Sequence, residues 1–206
     1  MNSTKVLPPE ALINASGGKT FVLFTSYDLL NKVFNLLDPK LRDYPLYKQG
    51  DLSPSRMLEK FRQEPSVIFG TNSFWQGVDI PGDALSSVVI TKLPFDVPSD
   101  PLVEARVEDL KKRRINPFRH FQIPRAIIQL RQGFGRLIRT AHDRGVVSIL
   151  DSRIVRRGYG EQFIASLPPC IVCSSATPSL SNSFMARRTW SAGFLTLMIA
   201  SARTSN

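Results

Sequence analysis

A chain of 206 residues is long enough for one full domain with a sizeable core and some extension beyond it. With 42% hydrophobic and 21% charged residues it has the make-up of a globular protein, and its longest apolar run, positions 193–200, falls far short of the roughly 20 residues that cross a bilayer. Twenty-seven Lys and Arg against 17 Asp and Glu leave a net charge of +10, which suits a polyanionic partner through counterion release and equally suits a solubilising surface.

The N-terminal stretch lacks the apolar core of a signal peptide. Residues 1–16 read as a lead-in. Phe21–Ser26 is then a strand candidate, and Tyr27–Leu37 carries apolar residues at helical spacing. Tyr44–Tyr47 reads as a weak strand, and Ser53–Arg62 as a helix with Ser53 at the N-cap and Pro54 at its first position. Ser66–Phe69 and Ser87–Thr91 read as short buried strands, followed by two long helical stretches, Pro101–Arg114 and Phe118–Arg139. Gly145–Leu150 is the strongest strand, ending at Asp151, and Gly160–Leu167 closes with an amphipathic helix. Strands alternating with helices predict an α/β fold with a mainly parallel sheet, whose ligands gather at the carboxyl ends of its strands.

Beyond Pro168 the character changes. The last 39 residues hold no Asp or Glu and show no sustained period, so 170–206 reads as an irregular tail foreign to the domain. Its Cys170 and Cys173 are the only cysteines. They exclude a disulfide framework and point to a reduced, cytoplasmic setting, and one Cys-x-x-Cys pair offers two of the four ligands of a structural zinc. No metal is therefore expected.

Ser16-Gly-Gly-Lys-Thr20 resembles the end of a phosphate-binding loop, but Ile13 stands where that loop needs its first glycine. Such a loop also follows a strand and opens a helix, whereas these glycines precede a strand and more simply supply a turn. No acidic pair suited to Mg²⁺ ends an apolar strand, so no complete ATPase site is expected in this chain.

Most of the chemistry is concentrated in Gln129-Leu-Arg-Gln-Gly-Phe-Gly-Arg-Leu-Ile-Arg139. On a continuous helix Gln132, Arg136 and Arg139 share one face, and two guanidiniums there suit charge developing on a transferred phosphoryl group. From the spacing alone a solvated basic stripe, common on surface helices, fits slightly better. Gly133 and Gly135 weaken a helix, which suggests close approach by another backbone or a ligand. A second basic cluster, Lys111-Lys-Arg-Arg114 with Arg119 and His120, either follows a nucleic-acid backbone or is a solvated helix end. His120 and His142 have no partner cluster for a metal.

Read together, the Gln-x-x-Gly-Arg-x-x-Arg pattern at Gln132, Gly135, Arg136 and Arg139 resembles motif VI of superfamily-2 helicases. Thr71-Asn-Ser-Phe-Trp-Gln-Gly-Val-Asp-Ile80 looks like motif V, and Phe24-Thr-Ser26 resembles motif IV. With ITKLPFDVPSDPLVEAR and ILDSRI, they are similar to the DinG/XPD-like branch, DNA helicases of 5′-to-3′ polarity, over residues 17–169.

The resemblance implies a RecA-like three-layer domain, the second motor domain of such an enzyme. Arg136 and Arg139 would reach ATP held with Mg²⁺ by a first motor domain, with Gln132 beside them. Gly77, Asp79 and Gly135 would line the nucleotide cleft, although Asp79 also suits a turn before Pro81. Thr25, Ser26, Thr71 and Ser73 would donate to the phosphates of single-stranded DNA without reading bases. Trp75 could stack on a base or serve the core, and Phe74 reads as core. In this branch an iron–sulfur cluster belongs to the first motor domain, so none is expected here. The competing reading is a non-catalytic nucleic-acid-binding or regulatory fragment of the same fold, and an RNA substrate is a further option.

Overall fold

In the computed structural model, residues 9–71, 84–97, 99–135, 137 and 145–168 are described, together with the backbone of 171–174 and 195–199. Five strands lie parallel: β1 (Thr20–Leu23), β2 (Leu46–Lys48), β3 (Val67–Gly70), β4 (Ser87–Ile90) and β5 (Gly145–Ile149). Their order across the sheet is β2-β3-β1-β4-β5. The chain doubles back between β1 and β4, the kind of switch point at which open α/β sheets bind ligands.

Alternate residues of each strand feed opposite faces, as the two-residue period of a pleated strand requires. Phe21, Leu23, Ile68, Val88, Ile90, Val147 and Ile149 enter one core and Val22, Phe24, Val67, Phe69 and Val89 the other. The first core is covered by Met57 and Phe61 of α3 (Pro54–Gln63) and by a helix running from Ile123 to Phe134. The second is covered by α1 (Pro9–Ala15) and α2 (Tyr27–Leu37) through Ile13, Leu30 and Leu37. The architecture is the expected three layers with a mainly parallel sheet. Helix α1 falls in the stretch read as a lead-in, yet Ile13 is wholly buried.

Local signals account for the helix starts. Ser26 is extended and its hydroxyl accepts from the Leu29 amide at 3.3 Å, which opens α2. Ser53 stands at the N-cap of α3 with Pro54 behind it, but makes no side-chain capping bond. Asp100 accepts from the amides of Leu102 and Val103 and opens α4 (Pro101–Lys112). The second long stretch is not the single helix the sequence predicts. A π-helical turn, Phe118–Gln122, leads into α5 (Ile123–Phe134), which stops at a Gly135 cap. Gly135 keeps right-handed angles, φ −64° and ψ −8°, but does not continue the helix, so Gln132 is not joined to positions 136 and 139 by unbroken helix.

Two short helices, α6 (Arg153–Arg156) and α7 (Gly160–Ala165), follow β5. The stretch read as an irregular tail contributes β6 (Ile171–Ser174) and β7 (Leu195–Ile199). Strand β7 pairs antiparallel with β5, and β6 pairs with β7.

Candidate functional site

The carboxyl edge of the sheet brings together residues far apart in sequence. Thr25, half-buried, and Ser26, exposed, follow β1, and Tyr27 stands beside them with 53% of its surface exposed. Gln49 follows β2, where its amide is tied to the Phe69 carbonyl at 2.9 Å. Thr71 follows β3 and is only 7% exposed. The Gln49 side chain joins all three strand ends. Its Oε1 accepts from the Thr71 amide at 2.6 Å and the Thr71 hydroxyl at 3.0 Å, and its Nε2 donates to the Tyr27 hydroxyl at 2.6 Å.

This arrangement decides which hydroxyls can serve a ligand. Thr71 has spent its proton inside the protein, so its part is to anchor the chain as it leaves β3. Ser26 and Tyr27 are acceptors in their described bonds, which leaves each O–H to donate outward. Tyr27 and Gln49 escaped the sequence reading. The glutamine's partners are 22 positions away in both directions, and no local pattern marks it.

A second polar centre lies past β5. Asp151, 7% exposed, accepts from the Leu93 amide at 2.8 Å and from the Arg153 guanidinium through Nε at 3.0 Å and Nη2 at 2.7 Å. The guanidinium lies 5.2 Å from the ring centroid of Phe95, which stacks on Phe118 at 5.7 Å and meets Tyr159 edge-on at 5.8 Å. Nearby, Asp96 accepts from Arg125 at 2.6 Å and Gln129 at 3.3 Å, tying α5 to the loop beyond β4. An Asp and an Arg two apart directly after the strongest strand was the available signal for the first of these pairs.

Burial alone would raise the Asp151 carboxyl, but the Arg153 hydrogen bonds and the Leu93 and Arg153 amides outweigh it and hold it below its ordinary 3.8. A carboxyl depressed in the folded state contributes stability that is complete above the unfolded value and is lost as pH falls through the folded one. Asp151→Asn is therefore expected to cost about 2 kcal/mol near neutral pH, through loss of a charge-assisted pair. That gap between variant and parent should shrink as the pH is taken below about 4. Urea unfolding at both pH values checks this, and a gap that stays constant would remove the pair from the account.

The described end of helix α5 lies toward the other edge. Helix α5 runs antiparallel to the strands, so its end meets the amino ends of β4 and β5. There Leu137 packs so closely on Gly145 that an added Cβ would come within 2.6 Å of it. Gln132 is exposed on the last turn, and Gly135 offers bare, exposed backbone. Thr25, Ser26 and Thr71 thus share one edge, while Gln132 and Gly135 share the opposite one, roughly 13 Å away across four residues of strand. Arg136, Arg139, Ser73, Phe74, Trp75, Gly77 and Asp79 lie outside the described residues.

Ser16–Thr20 closes α1 and enters β1, the reverse of the strand-to-helix order of a phosphate loop. Gly17 and Gly18 turn the chain at φ 63° and 80°, and Gly18 lies flat against the Tyr44 ring. Among the described residues, no three His, Cys, Asp or Glu are grouped to hold a metal, and no helix is long and apolar enough to cross a membrane.

A family model described as the helicase C-terminal domain matches residues 10–170. ATP-dependent DNA helicase YoaA of Haemophilus influenzae is 48% identical over 158 residues, 76% of this chain and 24% of that protein. ATP-dependent helicase DinG of Mycobacterium tuberculosis is 43% identical over 167 residues, 81% of this chain and 25% of that protein. The 3′-5′ exonuclease DinG of Bacillus subtilis is 41% identical over 82% of this chain and 18% of its own length. The chain thus spans about a quarter or less of these relatives. Among solved structures, an XPD helicase superposes with a TM-score of 0.57 at 19% identity, covering 75% of this chain and 28% of that one. S. tokodaii Xpd4 superposes with a TM-score of 0.54 at 23% identity, covering 76% and 30%. The parallel sheet and these matches lead to one assignment: the chain belongs to the helicase C-terminal domain family, in the company of DinG- and YoaA-type helicases.

Proposed function

We propose that this domain is the second motor domain of an ATP-dependent 5′-to-3′ DNA helicase. On this reading it grips single-stranded DNA at the carboxyl edge of its sheet and completes a nucleotide site at the amino edge. The reading is supported by the gathering of Thr25, Ser26 and Tyr27 at the carboxyl edge, with the exposed end of a firmly packed helix toward the opposite one. A motor domain needs two such faces, because a change at the nucleotide must be converted into a shift of the strand.

At the carboxyl edge, Thr25 and Ser26 donate to phosphates and Tyr27 offers a face to a base, with Ser73 and Trp75 as further contacts. None of these groups reads sequence, which suits an enzyme that must travel along any strand. Gln49 and Thr71 hold Tyr27 in place. At the amino edge, Gln132 is exposed and Gly135 allows close approach, so the described residues fit a phosphate-bearing ligand. There Arg136 and Arg139 bring positive charge to the phosphates of ATP, and Gly77 and Asp79 line the same cleft. Mg²⁺ and the phosphate loop belong to the first motor domain, and ATP supplies the phosphoanhydride bond whose cleavage drives the cycle.

Binding of labelled oligo-dT, followed by fluorescence anisotropy, tests the strand face. Tyr27→Ala is expected to weaken binding about tenfold, the cost of one lost base stack, while Tyr27→Phe keeps most of the affinity. Gln49→Ala should weaken binding less than Tyr27→Ala, since the ring remains but is no longer held. Wild-type affinity in Tyr27→Ala would remove this edge from the strand path. An oligo-rU arm reports on RNA. Tight strand binding with no stimulation of a first motor domain would favour the non-catalytic fragment.

A further inference from the structure

Helix α4 ends in a motif that its sequence does not favour. The Ile115 amide donates back to the Leu110 carbonyl at 2.9 Å and the Arg114 amide to the Lys111 carbonyl at 2.9 Å, closing the helix. Arg114 takes the left-handed position of this turn at φ 58°, the only described residue other than glycine with a positive φ. Glycine is the usual occupant, because a side chain there costs about 1 kcal/mol. An arginine kept at that cost suggests a use for the guanidinium.

Arg114 is not alone. Lys111, Lys112, Arg113, Arg119 and His120 are all exposed around the same corner. Asp109 is shared by Arg106 at 3.3 Å and Arg113 at 3.6 Å. Among the described residues, Lys111, Lys112, Arg114 and Arg119 have no carboxylate within 4.0 Å. The helix dipole explains cations at the end of α4, where negative potential collects. It opposes Arg119 and His120, which stand in the first turn of the next helical stretch. Two helix ends of opposite polarity therefore carry the same charge, which points to a ligand and not to dipole compensation. The corner also adjoins the carboxyl edge, since Phe118 packs on Phe95 and Tyr159 beyond the ends of β4 and β5.

We propose that the corner formed by Lys111, Lys112, Arg114 and Arg119 is a second nucleic-acid site that contacts backbone phosphates. It rests on the reading that this domain binds nucleic acid. Lysine and arginine heads on a convex corner neutralise phosphates and release counterions, with no means of reading bases. The bound phosphates belong either to the single strand leaving the Tyr27 edge or to a flanking duplex.

The test is a salt titration of the chain with a labelled oligo-dT and, separately, a labelled duplex. Lys111→Glu/Lys112→Glu is expected to weaken binding about tenfold in at least one arm. Each lost phosphate contact should flatten the dependence of log affinity on log salt by about 0.7 on the single strand or 0.9 on the duplex. The arm that responds identifies the source. Lys40→Glu/Arg42→Glu, between α2 and β2, makes the same change in net charge elsewhere and reports the general field. Arg114→Gly removes the guanidinium while giving the turn its preferred residue, so affinity should fall although the melting temperature does not. Equal weakening by the control, or unchanged affinity in Arg114→Gly, overturns the proposal. If Tyr27→Ala weakens binding while the corner variants do not, the corner fails and the strand-gripping edge stands. The reverse pattern retains the corner and rejects the edge. A parent chain that binds neither probe rejects both.

Discussion

Arg136→Ala, made in a protein that joins this sequence to a first motor domain, is expected to lower ATP turnover about a thousandfold, the scale on which arginine fingers act. The expectation follows from the nucleotide site proposed at the amino edge and from how firmly α5 is held. Helix α5 is clamped to the sheet by Ile123, Ala126, Leu130 and Phe134, none more than 2% exposed, and Leu137 is buried just beyond. The end of α5 is therefore a fixed support, and a preorganised cation stabilises charge without reorganising when it develops. Arg139→Ala should give a loss of similar kind, and the double variant less than the product of the two, since both act on one group of phosphates. Arg131→Ala is the control: its side chain is exposed one turn earlier and should leave turnover unchanged. The effect should fall on kcat with the melting temperature preserved. ATP hydrolysis that survived the loss of both arginines would end the assignment of the amino edge to the nucleotide.

The parts of this molecule that could be read in advance are those whose causes are local. Tyr27–Leu37 matches its helix end for end, because Ser26 caps it and Leu30 and Leu37 recur on one face. The strands were visible as short runs of β-branched and aromatic residues, since a sheet covered on both sides needs apolar residues at every position. The helix predicted through Arg139 ends at Gly135, and the local signal for that end is the pair of glycines at 133 and 135, each costly inside a helix. Long-range effects were out of reach. A hydroxyl at a strand end such as that of Thr71 suits a phosphate on sequence grounds, but only the fold brings Gln49 to take its proton. The separation of the two edges was equally hidden. It depends on α5 running against the strands, which periodicity does not encode. Asp151 and Arg153 are the opposite case, a pair two residues apart that could have been proposed from spacing alone.

Gly160→Ala is expected to cost about 3 kcal/mol, at the upper end of what overpacking a core usually does. The backbone angle is not the reason, since Gly160 is not among the residues of positive φ. The reason is space. A Cβ at this position would lie 1.8 Å from the Ile154 carbonyl oxygen and 2.6 Å from its carbon, and both atoms are backbone that no side-chain rotation can clear. Either α6 or α7 must move. Helix α6 is pinned by the Asp151–Arg153 pair and by Ile154, 2% exposed, and α7 by Phe163, which is wholly buried. Movement of either one disturbs the stack of Phe95, Phe118 and Tyr159 beside the basic corner. For a domain of this size each kcal/mol lowers the melting temperature by about 2–4 °C, so a drop of roughly 6–12 °C is expected in a calorimetric scan. Gly158→Ala makes the same chemical change two residues earlier, where nothing lies within 4 Å, and should melt close to the parent. If the two alanines behave alike, the close approach of α6 to α7 is wrong, and with it the rigid mounting of Arg153 over Phe95. If only Gly160→Ala melts early, the strand end of β5 is held by packing as well as by charge. Its loss should then weaken nucleic-acid binding at the corner before it disturbs the network around Gln49, which is built on β1, β2 and β3.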